Sequence, residues 1–233
     1  MMTNKIDFIT VGDIQTNCWF YPLEEIPAQD GKQYCVVIDP GDQADLIISR
    51  LRKLNRIPRC IFLTHGHFDH LAALPDLCEF FGKSGADPNG TAEGPLKIGI
   101  HSQDAHYLGK DALSAHRHSF SAAGGSAAYI DALWKPMPEA DILFEEGVTA
   151  GPFKVLHVPG HTQGSVAFYD EKAGVLFSGD TLFKAGRGRT DLPGGDERQI
   201  HQSLKRLLSM KGEITVCPGH GPATTIGEEL RYY

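Results

Sequence analysis

Four apolar segments of the sequence are each followed by a motif in which a glycine lies beside a histidine or an aspartate. The first segment, residues 60–63, is followed by T-H-G-H-F-D-H at 64–70, and the later motifs are P-G-H-T at 159–162, S-G-D-T at 178–181 and P-G-H-G at 218–221. Imidazole and carboxylate groups are common ligands of divalent first-row metals. Because the first motif alone offers four such groups, and more distant histidines join them, the pattern predicts two metal ions.

The distribution of apolar residues predicts an α/β fold with its chemistry at the ends of strands. Stretches rich in β-branched and aromatic residues are typical of strands, and they occur at 6–11, 34–38, 60–63, 98–101, 153–158, 166–169, 175–177 and 214–217. Helical spacing occurs at Ile47, Leu51 and Leu54, within 71–81, and at Ile200, Leu204, Leu207 and Leu208. Since each metal-ligand motif follows a predicted strand, we expect loops at strand ends to form the site.

Two glycine-rich segments, 82–94 and 109–141, are predicted to be irregular. Neither is long enough to be a domain, and 233 residues with 41% hydrophobic side chains fit a single domain spanning 1–233. The second segment is a candidate lid over the site. Its aromatic residues, Phe120, Tyr129 and Trp134, would then either contact substrate or pack against the body of the protein.

Composition argues against several kinds of partner. A formal charge of −7 and the absence of a dense Lys/Arg run make nucleic acid an unfavourable ligand. The sequence shows neither a signal peptide nor a run of about 18 apolar residues, so we expect a cytoplasmic protein without a membrane segment. The five cysteines are scattered without C-x-x-C spacing and are expected to be reduced thiols. The oligomeric state is left open.

Taken in order, the four motifs resemble the ligand set of the metallo-β-lactamase-fold hydrolases, and the resemblance covers nearly the whole chain. It implies an αββα four-layer sandwich with a dinuclear metal site at the strand-end loops. It implies that the first metal is bound by His65, His67 and His161. It implies that the second is bound by Asp69, His70 and His220, and that Asp180 bridges both. Two divalent ions are expected, with zinc favoured and iron or manganese as alternatives.

Two aspartates have further expected roles. Two metal ions about 3.5–4 Å apart can hold a shared hydroxide that attacks a carbonyl carbon, and Asp69 is the catalytic residue expected to orient that hydroxide or accept its proton. Asp39, in V-V-I-D-P-G at 36–41, ends another apolar stretch. Similar proteins carry an aspartate there that steadies metal-bound histidines, and the alternative for Asp39 is simple turn formation.

The stretch after Asp180, with G-D-T-L-F at 179–183 and G-R-T-D-L-P-G-G at 188–195, is similar to the glyoxalase II family. The short bacterial members of this family are the most similar. The resemblance implies hydrolysis of glutathione thioesters such as S-lactoylglutathione. Arg189 occupies the place of a cation for the glycine carboxylate of glutathione, and Lys184 and Arg187 are weaker candidates. The chain ends 13 residues after His220, so no C-terminal helical glutathione-binding domain is expected.

Other functions remain open at this point. A persulfide dioxygenase also carries a G-R-T-D stretch but uses one iron, held by two histidines and an aspartate. A β-lactamase is disfavoured because no secretory signal is seen and because Asp69 precedes His70 in the hydrolase-like motif. A nuclease is disfavoured by the acidic charge. A non-enzymatic protein that uses the metals only for stability is the last alternative.

Overall fold

Two sheets form the centre of the part of the chain that the computed structural model describes, residues 6–27, 31–82 and 95–233. Six strands make the first sheet there, in spatial order β1 (Asp7–Val11), β2 (Thr16–Pro27), β3 (Gln33–Ile38), β4 (Arg56–Phe62), β5 (Lys97–His101) and β6 (Ile142–Phe144). The pairs β1/β2 and β2/β3 are antiparallel, and the pairs from β3 to β6 are parallel.

The second sheet follows along the chain. Its described strands are β7 (Thr149–Ala150), β8 (Phe153–His157), β9 (Val166–Asp170), β10 (Val175–Gly179), β11 (Thr215–Pro218) and β12 (Thr224–Thr225). They pair in chain order, and β10 and β11 are parallel while the other pairs are antiparallel. The helices are α1 (Ala44–Lys53), α2 (Leu74–Phe81), α3 (Ala112–Ala122), α4 (Ala127–Leu133), α5 (Glu197–Leu208) and α6 (Ile226–Glu229). None of the described helices has the length and apolar character needed to span a bilayer.

Three apolar clusters separate the layers. In β3, Cys35 and Val37 belong to the cluster shared with α1 and α2, whereas Val36 and Ile38 belong to the cluster between the two sheets. Successive side chains of a strand point to opposite faces, so this alternation buries both faces of the sheet. A third cluster joins the outer face of the second sheet to α5. The layers therefore run helix, sheet, sheet, helix, which confirms the predicted αββα sandwich.

The predicted helix near residue 200 has the expected packing. The side chains of Ile200, Leu204 and Leu207 are buried against the second sheet. The helix begins after Asp196, whose carboxylate accepts a hydrogen bond from the Gln199 amide at 2.8 Å and so satisfies one of the free N–H groups of the first turn.

Segment 109–141 is not irregular, and that expectation is wrong. Helices α3 and α4 occupy much of it, and Gly124 and Gly125 form the connection between them. Alanine-rich sequence favours helix, but the buried face of α3 consists of Ala112, His116 and Ser119 and gives little apolar periodicity. In segment 82–94, residues 83–94 lie outside the described part of the chain.

Strand β2 was also not predicted from the sequence. Its stretch contains Asn17, Pro22 and Pro27, which interrupt the pattern of a typical strand. The register of β2 against β3 shifts between Pro22 and Pro27. A local irregularity in the ladder therefore accommodates the prolines.

The ends of four strands meet at one edge of the sandwich, and main-chain hydrogen bonds hold them there. The Val166 amide donates to the Thr64 carbonyl at 2.8 Å and links the second sheet to the loop after β4. The Gly219 amide donates to the Gly179 carbonyl at 2.9 Å, which joins the loops after β10 and β11. The Asn17 amide donates to the Gly219 carbonyl at 2.7 Å. This edge carries all four metal-ligand motifs.

Replacing Leu176 by alanine tests the packing of α5 on the second sheet. Leu176 is 0% exposed between this sheet and α5. We expect Leu176→Ala to lower the free energy of unfolding by about 2–5 kcal/mol, because it removes buried methyl groups and leaves a cavity. Chemical denaturation measures this change.

The matched control is Leu143→Ala, since Leu143 is 56% exposed on β6. Its expected effect is below about 0.5 kcal/mol. Equal effects of the two substitutions would contradict the assignment of this core.

Candidate metal centre

The seven predicted metal ligands lie together at the edge where β4, β8, β10 and β11 end. Their nitrogen and oxygen atoms form three overlapping groups, and within each group these atoms lie within 4.8 Å of one another. The groups are His65, His67 and His161; His65, His70 and Asp180; and Asp69, His70 and His220. The first and third groups are the two sets that the resemblance implied, and the second group connects them.

Asp180 lies between the two outer groups. Its Oδ2 atom is 3.6 Å from Nε2 of His161 and 3.4 Å from Nε2 of His220. Its Oδ1 atom is 3.4 Å from Nε2 of His70. One carboxylate thus faces nitrogen atoms of both sets, which is the position that a bridging ligand requires.

The cluster has the donor atoms and the unsatisfied polar groups that a metal site requires. Nδ1 of His67 lies 2.9 Å from Nε2 of His161, and Nε2 of His70 lies 3.2 Å from Nε2 of His220. Within the described residues, the buried Nε2 of His65 and Oδ1 of Asp180 have no hydrogen-bond partner. Buried polar atoms without partners are unfavourable, and divalent cations would satisfy them. The residues therefore fit two metal ions.

The electrostatics of the cluster also suit a cation. Burial, reinforced by the neighbouring histidines, holds the pKa of His65 well below its usual value, and burial together with His161 lowers the pKa of His67 to about 3. Both rings are consequently neutral at pH 7 and each keeps a nitrogen lone pair for a metal. Burial opposes ionisation of Asp180, but His70 and His220 outweigh it and lower the pKa of Asp180 to about 2.

The third group, Asp69, His70 and His220, shows the opposite balance. Burial lowers the pKa of His220, but hydrogen bonds and charge from Asp180 and Asp69 outweigh it and raise the pKa to about 11. The same two carboxylates raise the pKa of His70 against the effect of burial. Without a metal, His220 therefore holds a proton. A cation that binds there displaces it, so protons and metal compete for this group.

The buried Asp39 carboxylate contacts both Thr64 and His70, which lie at the two ends of the first histidine motif. Its Oδ2 lies 3.0 Å from Nδ1 of His70, and its carboxylate accepts hydrogen bonds from the Thr64 amide at 2.8 Å and the Thr64 hydroxyl at 2.7 Å. The Thr64 hydroxyl is also 3.1 Å from Nδ1 of His65. This contact with His70 fixes the ring orientation and leaves Nε2 directed into the cluster. The Asp39 carboxylate therefore lies between Thr64 and the His70 ring.

Main-chain carbonyl groups orient two other histidines. Nδ1 of His161 lies 2.8 Å from the Arg189 carbonyl, and Nδ1 of His220 lies 3.3 Å from the Gln15 carbonyl. In each ring the Nδ1 hydrogen is directed to a carbonyl, so Nε2 is the free ligand atom. Sequence reasoning could not identify these contacts because they involve the backbone and not a particular side chain.

Asp104 is a structural residue of the site that the sequence analysis missed. It is 1% exposed, and its carboxylate accepts hydrogen bonds from the Gly66 amide at 2.9 Å, the Thr162 hydroxyl at 2.7 Å and the Gly164 amide at 2.8 Å. It therefore joins the loop of His65 and His67 to the loop of His161. Its position just after strand β5 is the same signal that marked the other motifs.

Glycines at two positions are required by close packing. A Cβ atom on Gly66 would lie 2.0 Å from the ring of Tyr107. The close approach of this ring therefore requires glycine at position 66. A Cβ atom on Gly219 would lie 2.2 Å from Oδ1 of Asp180 and 2.7 Å from Cε1 of His70.

The side chain of Arg189 lies at the rim of the site. It makes a bidentate pair with Asp191 at 2.6 and 2.7 Å, and Arg189 is among the residues that line the cleft next to the cluster. Lys184 is exposed and Arg187 pairs with Glu197 at 2.6 Å, and neither lines this cleft. Of the three cations considered, only Arg189 is placed to meet a ligand there.

The cleft has a volume of about 200 Å³ and reaches from the cluster to α3 and α4. Phe120 and Tyr129 line the cleft. Trp134 instead packs against the apolar cluster that the first sheet shares with α1 and α2, and its ring is 5.7 Å from that of His116. His116 itself lines the cleft. The remaining histidines outside the three ligand groups are His101, His106, His118, His157 and His201.

The chain is similar to known proteins over nearly its whole length. The family described as the metallo-beta-lactamase superfamily matches residues 11–220. The hydroxyacylglutathione hydrolase GloC of Haemophilus influenzae is 32% identical over 97% of this chain and 95% of its own length. The crystal structure of TTHA1623 in a di-iron-bound form is 35% identical over 97% of this chain and 98% of that one, with a TM-score of 0.74. The BLEG-1 B3 metallo-beta-lactamase is 33% identical over 97% and 96%, also with a TM-score of 0.74.

Replacing Gly219 by alanine tests the close packing beneath Asp180. We expect Gly219→Ala to weaken metal binding by about tenfold or more, because the new Cβ displaces the Asp180 carboxylate and the His70 ring. Competition titration with a metal chelator measures the affinity. The control is Gly186→Ala, since no atom lies within 4 Å of the added Cβ there. Unchanged affinity in Gly219→Ala would contradict the packing argument.

Replacing Asp104 by alanine tests its role in holding the two histidine loops. We expect Asp104→Ala to lower the free energy of unfolding by about 3 kcal/mol, because buried N–H groups of Gly66 and Gly164 lose a charged acceptor. Urea denaturation provides the measurement. Asp131→Ala is the control, since Asp131 pairs with Arg117 on the surface and should contribute less than about 1 kcal/mol. A similar loss in both variants would remove the special role of Asp104.

Proposed function

The chain belongs to the metallo-beta-lactamase superfamily and is a metallo-hydrolase, and from this premise we propose that it hydrolyses glutathione thioesters such as S-lactoylglutathione. The observation that carries the proposal is the pair of ligand groups that share Asp180 between them. The 32% identity to a hydroxyacylglutathione hydrolase over nearly the full length of both chains supports the substrate class.

In this proposal His65, His67 and His161 would hold one divalent ion, and Asp69, His70 and His220 would hold a second. Asp180 would be a ligand shared by the two groups. When bound, the two ions would lower the pKa of water held between them and polarise the substrate carbonyl. The donor set accepts zinc, iron or manganese. The di-iron form of TTHA1623, which is 35% identical to this chain, supports iron.

Residues of the chain would orient the attacking water and accept its proton. The Asp69 carboxylate accepts a hydrogen bond from the Thr16 hydroxyl at 3.1 Å, and its Oδ2 is 3.3 Å from Nε2 of His220. A carboxylate fixed in this way can orient the attacking water and accept its proton. The thiol product has a pKa of about 8.5 and leaves as thiolate, so the reaction does not require a strong acid in the site.

Arg189 is the proposed contact for a carboxylate of the glutathione moiety. Its guanidinium group is about half exposed at the rim and is already paired with Asp191. A substrate carboxylate would take the place of Asp191 or share the guanidinium with it, since one guanidinium has five N–H donors.

One observation argues against a dioxygenase, and another makes β-lactam hydrolysis a second candidate. A dioxygenase with one iron needs only two histidines and an aspartate, and the assembled third group of Asp69, His70 and His220 favours hydrolysis instead. Hydrolysis of β-lactams is a second candidate because BLEG-1, a B3 metallo-beta-lactamase, shares 33% identity over nearly the whole chain.

We also infer that the protein acts in the cytoplasm. The inference is supported by the five cysteines, all of which are free thiols, and all five are buried or partly buried in the core clusters. Free cysteines of this kind are typical of a reducing compartment.

Turnover and metal content measured on one purified sample test the proposed function. We expect hydrolysis of S-lactoylglutathione with two metal ions per chain, and loss of both in Asp180→Ala, because this residue faces both ligand groups. Asp131→Ala is the control and should retain activity. Oxygen uptake with glutathione persulfide, or hydrolysis of a β-lactam without thioester hydrolysis, would overturn the proposal in favour of the respective alternative.

The role of Arg189 is tested by a pair of substitutions. We expect Arg189→Ala to raise KM for S-lactoylglutathione by about tenfold or more, because a charged hydrogen-bonded pair contributes about 1.5–3 kcal/mol. Asp191→Ala should leave KM unchanged or lower it, since it frees the guanidinium for substrate. Steady-state kinetics give both values. An unchanged KM in Arg189→Ala would remove this residue from substrate binding.

A further inference from the structure

The cleft beside the metal centre has an exposed apolar wall. Ile14, Tyr129 and Leu133 are 51%, 38% and 45% exposed, and all three line this one cleft. Phe120 and Leu192 also line it. Apolar side chains exposed singly are ordinary, but several that converge on a concave surface next to reactive groups mark a binding site for an apolar ligand.

The wall is built by contacts between separate parts of the chain. The rings of Phe120 on α3 and Tyr129 on α4 are stacked, with centroids 5.1 Å apart and an angle of 10° between planes. The Tyr129 hydroxyl donates to Asp13 in the turn between β1 and β2 at 3.4 Å. A Cβ on Gly125 would lie 2.2 Å from the Phe120 ring. The aromatic pair is therefore held in place over the cleft.

The charges around this wall disfavour an anionic group. Burial lowers the pKa of His116 to about 4, so the imidazole beside the wall is neutral at pH 7. Asp13 and Asp42 line the cleft near Ile14, and both are carboxylates. Arg189, which also lines the cleft, lies on the side of His161, whose Nδ1 contacts its carbonyl. The wall thus selects for an uncharged apolar group.

We propose that the cleft binds the acyl group of the substrate and that the preferred acyl groups are neutral and hydrophobic, longer or bulkier than lactoyl. The proposal rests on the proposed function, since it concerns the same thioesters. If Arg189 binds the carboxylate of the thiol moiety near His161, the acyl group on the other side of the scissile bond lies toward the helices α3 and α4. Lactoyl is small and carries a hydroxyl, so it leaves most of the apolar wall uncovered.

Binding of thioether analogues to the metal-loaded protein tests the proposal without any turnover. S-hexylglutathione and S-methylglutathione share the thiol moiety and differ only in the apolar group that takes the acyl position. We expect calorimetry to give at least about tenfold tighter binding of the hexyl compound, because five additional methylene groups leave water. Equal affinities would overturn the proposal.

Two matched substitutions locate the preference. Leu133→Ser and Ile14→Ser should each reduce the ratio of the two affinities severalfold, whereas Leu143→Ser, at a leucine that is 56% exposed outside the cleft, should leave it unchanged. A ratio that persists in both cleft variants would overturn the proposal. Circular dichroism and the affinity for S-methylglutathione establish that each variant is folded.

Kinetics separate this proposal from the proposed function. We expect kcat/KM for S-hexanoylglutathione to exceed that for S-lactoylglutathione by about tenfold, following the binding difference. If neither thioester is hydrolysed while the hexyl analogue still binds more tightly and the cleft variants lose that preference, the proposed reaction fails and the apolar cleft stands. If both are hydrolysed with equal kcat/KM and the analogues bind equally, the cleft proposal fails and the reaction stands.

Discussion

The burial of several ionisable side chains at one edge of the sandwich is the constraint on which the rest of the structure depends. Imidazole and carboxylate groups lose hydration there, and they are tolerated only where other groups satisfy them. The Asp39 carboxylate accepts hydrogen bonds from Thr64 and lies 3.0 Å from Nδ1 of His70, and carbonyl groups contact the outer nitrogens of His161 and His220. The inner nitrogens face one another, which is an arrangement that divalent cations stabilise.

The two sheets serve this arrangement by bringing distant parts of the chain to the same edge. The hydrogen bond from Val166 to Thr64 joins the sheets next to the first histidine motif, and Asp104 ties that motif to the loop of His161. Gly66 and Gly219 allow the neighbouring side chains to approach. The site is therefore positioned by the packing of the whole sandwich, while the helices α3 and α4 shape the adjoining cleft.

Much of the fold and of the candidate metal site could be predicted, because the ligand motifs at the strand ends can be recognised in the sequence. Each ligand motif follows an apolar segment and has a glycine beside a ligand, which indicates a metal site at strand ends. The resemblance of the four motifs, in order, to the metallo-β-lactamase-fold hydrolases implies the αββα fold and the seven ligands. The outer contacts were beyond sequence reasoning. Asp104 follows strand β5 but has no glycine beside it, whereas each of the four motifs has a glycine beside a ligand. The carbonyl groups of Arg189 and Gln15 leave no trace in the sequence. The helices of 109–141 were missed because their buried face includes His116 and Ser119.

The central claim is that Asp180 joins two ligand groups into a centre for two metal ions. Anomalous scattering from crystals of the purified protein, collected at the absorption edges of iron and zinc, tests it most directly. The account predicts two peaks about 3.5–4 Å apart, one beside His65, His67 and His161 and one beside Asp69, His70 and His220, with the Asp180 carboxylate in contact with both. A single fully occupied peak beside one group, with the other group free of metal, would contradict it.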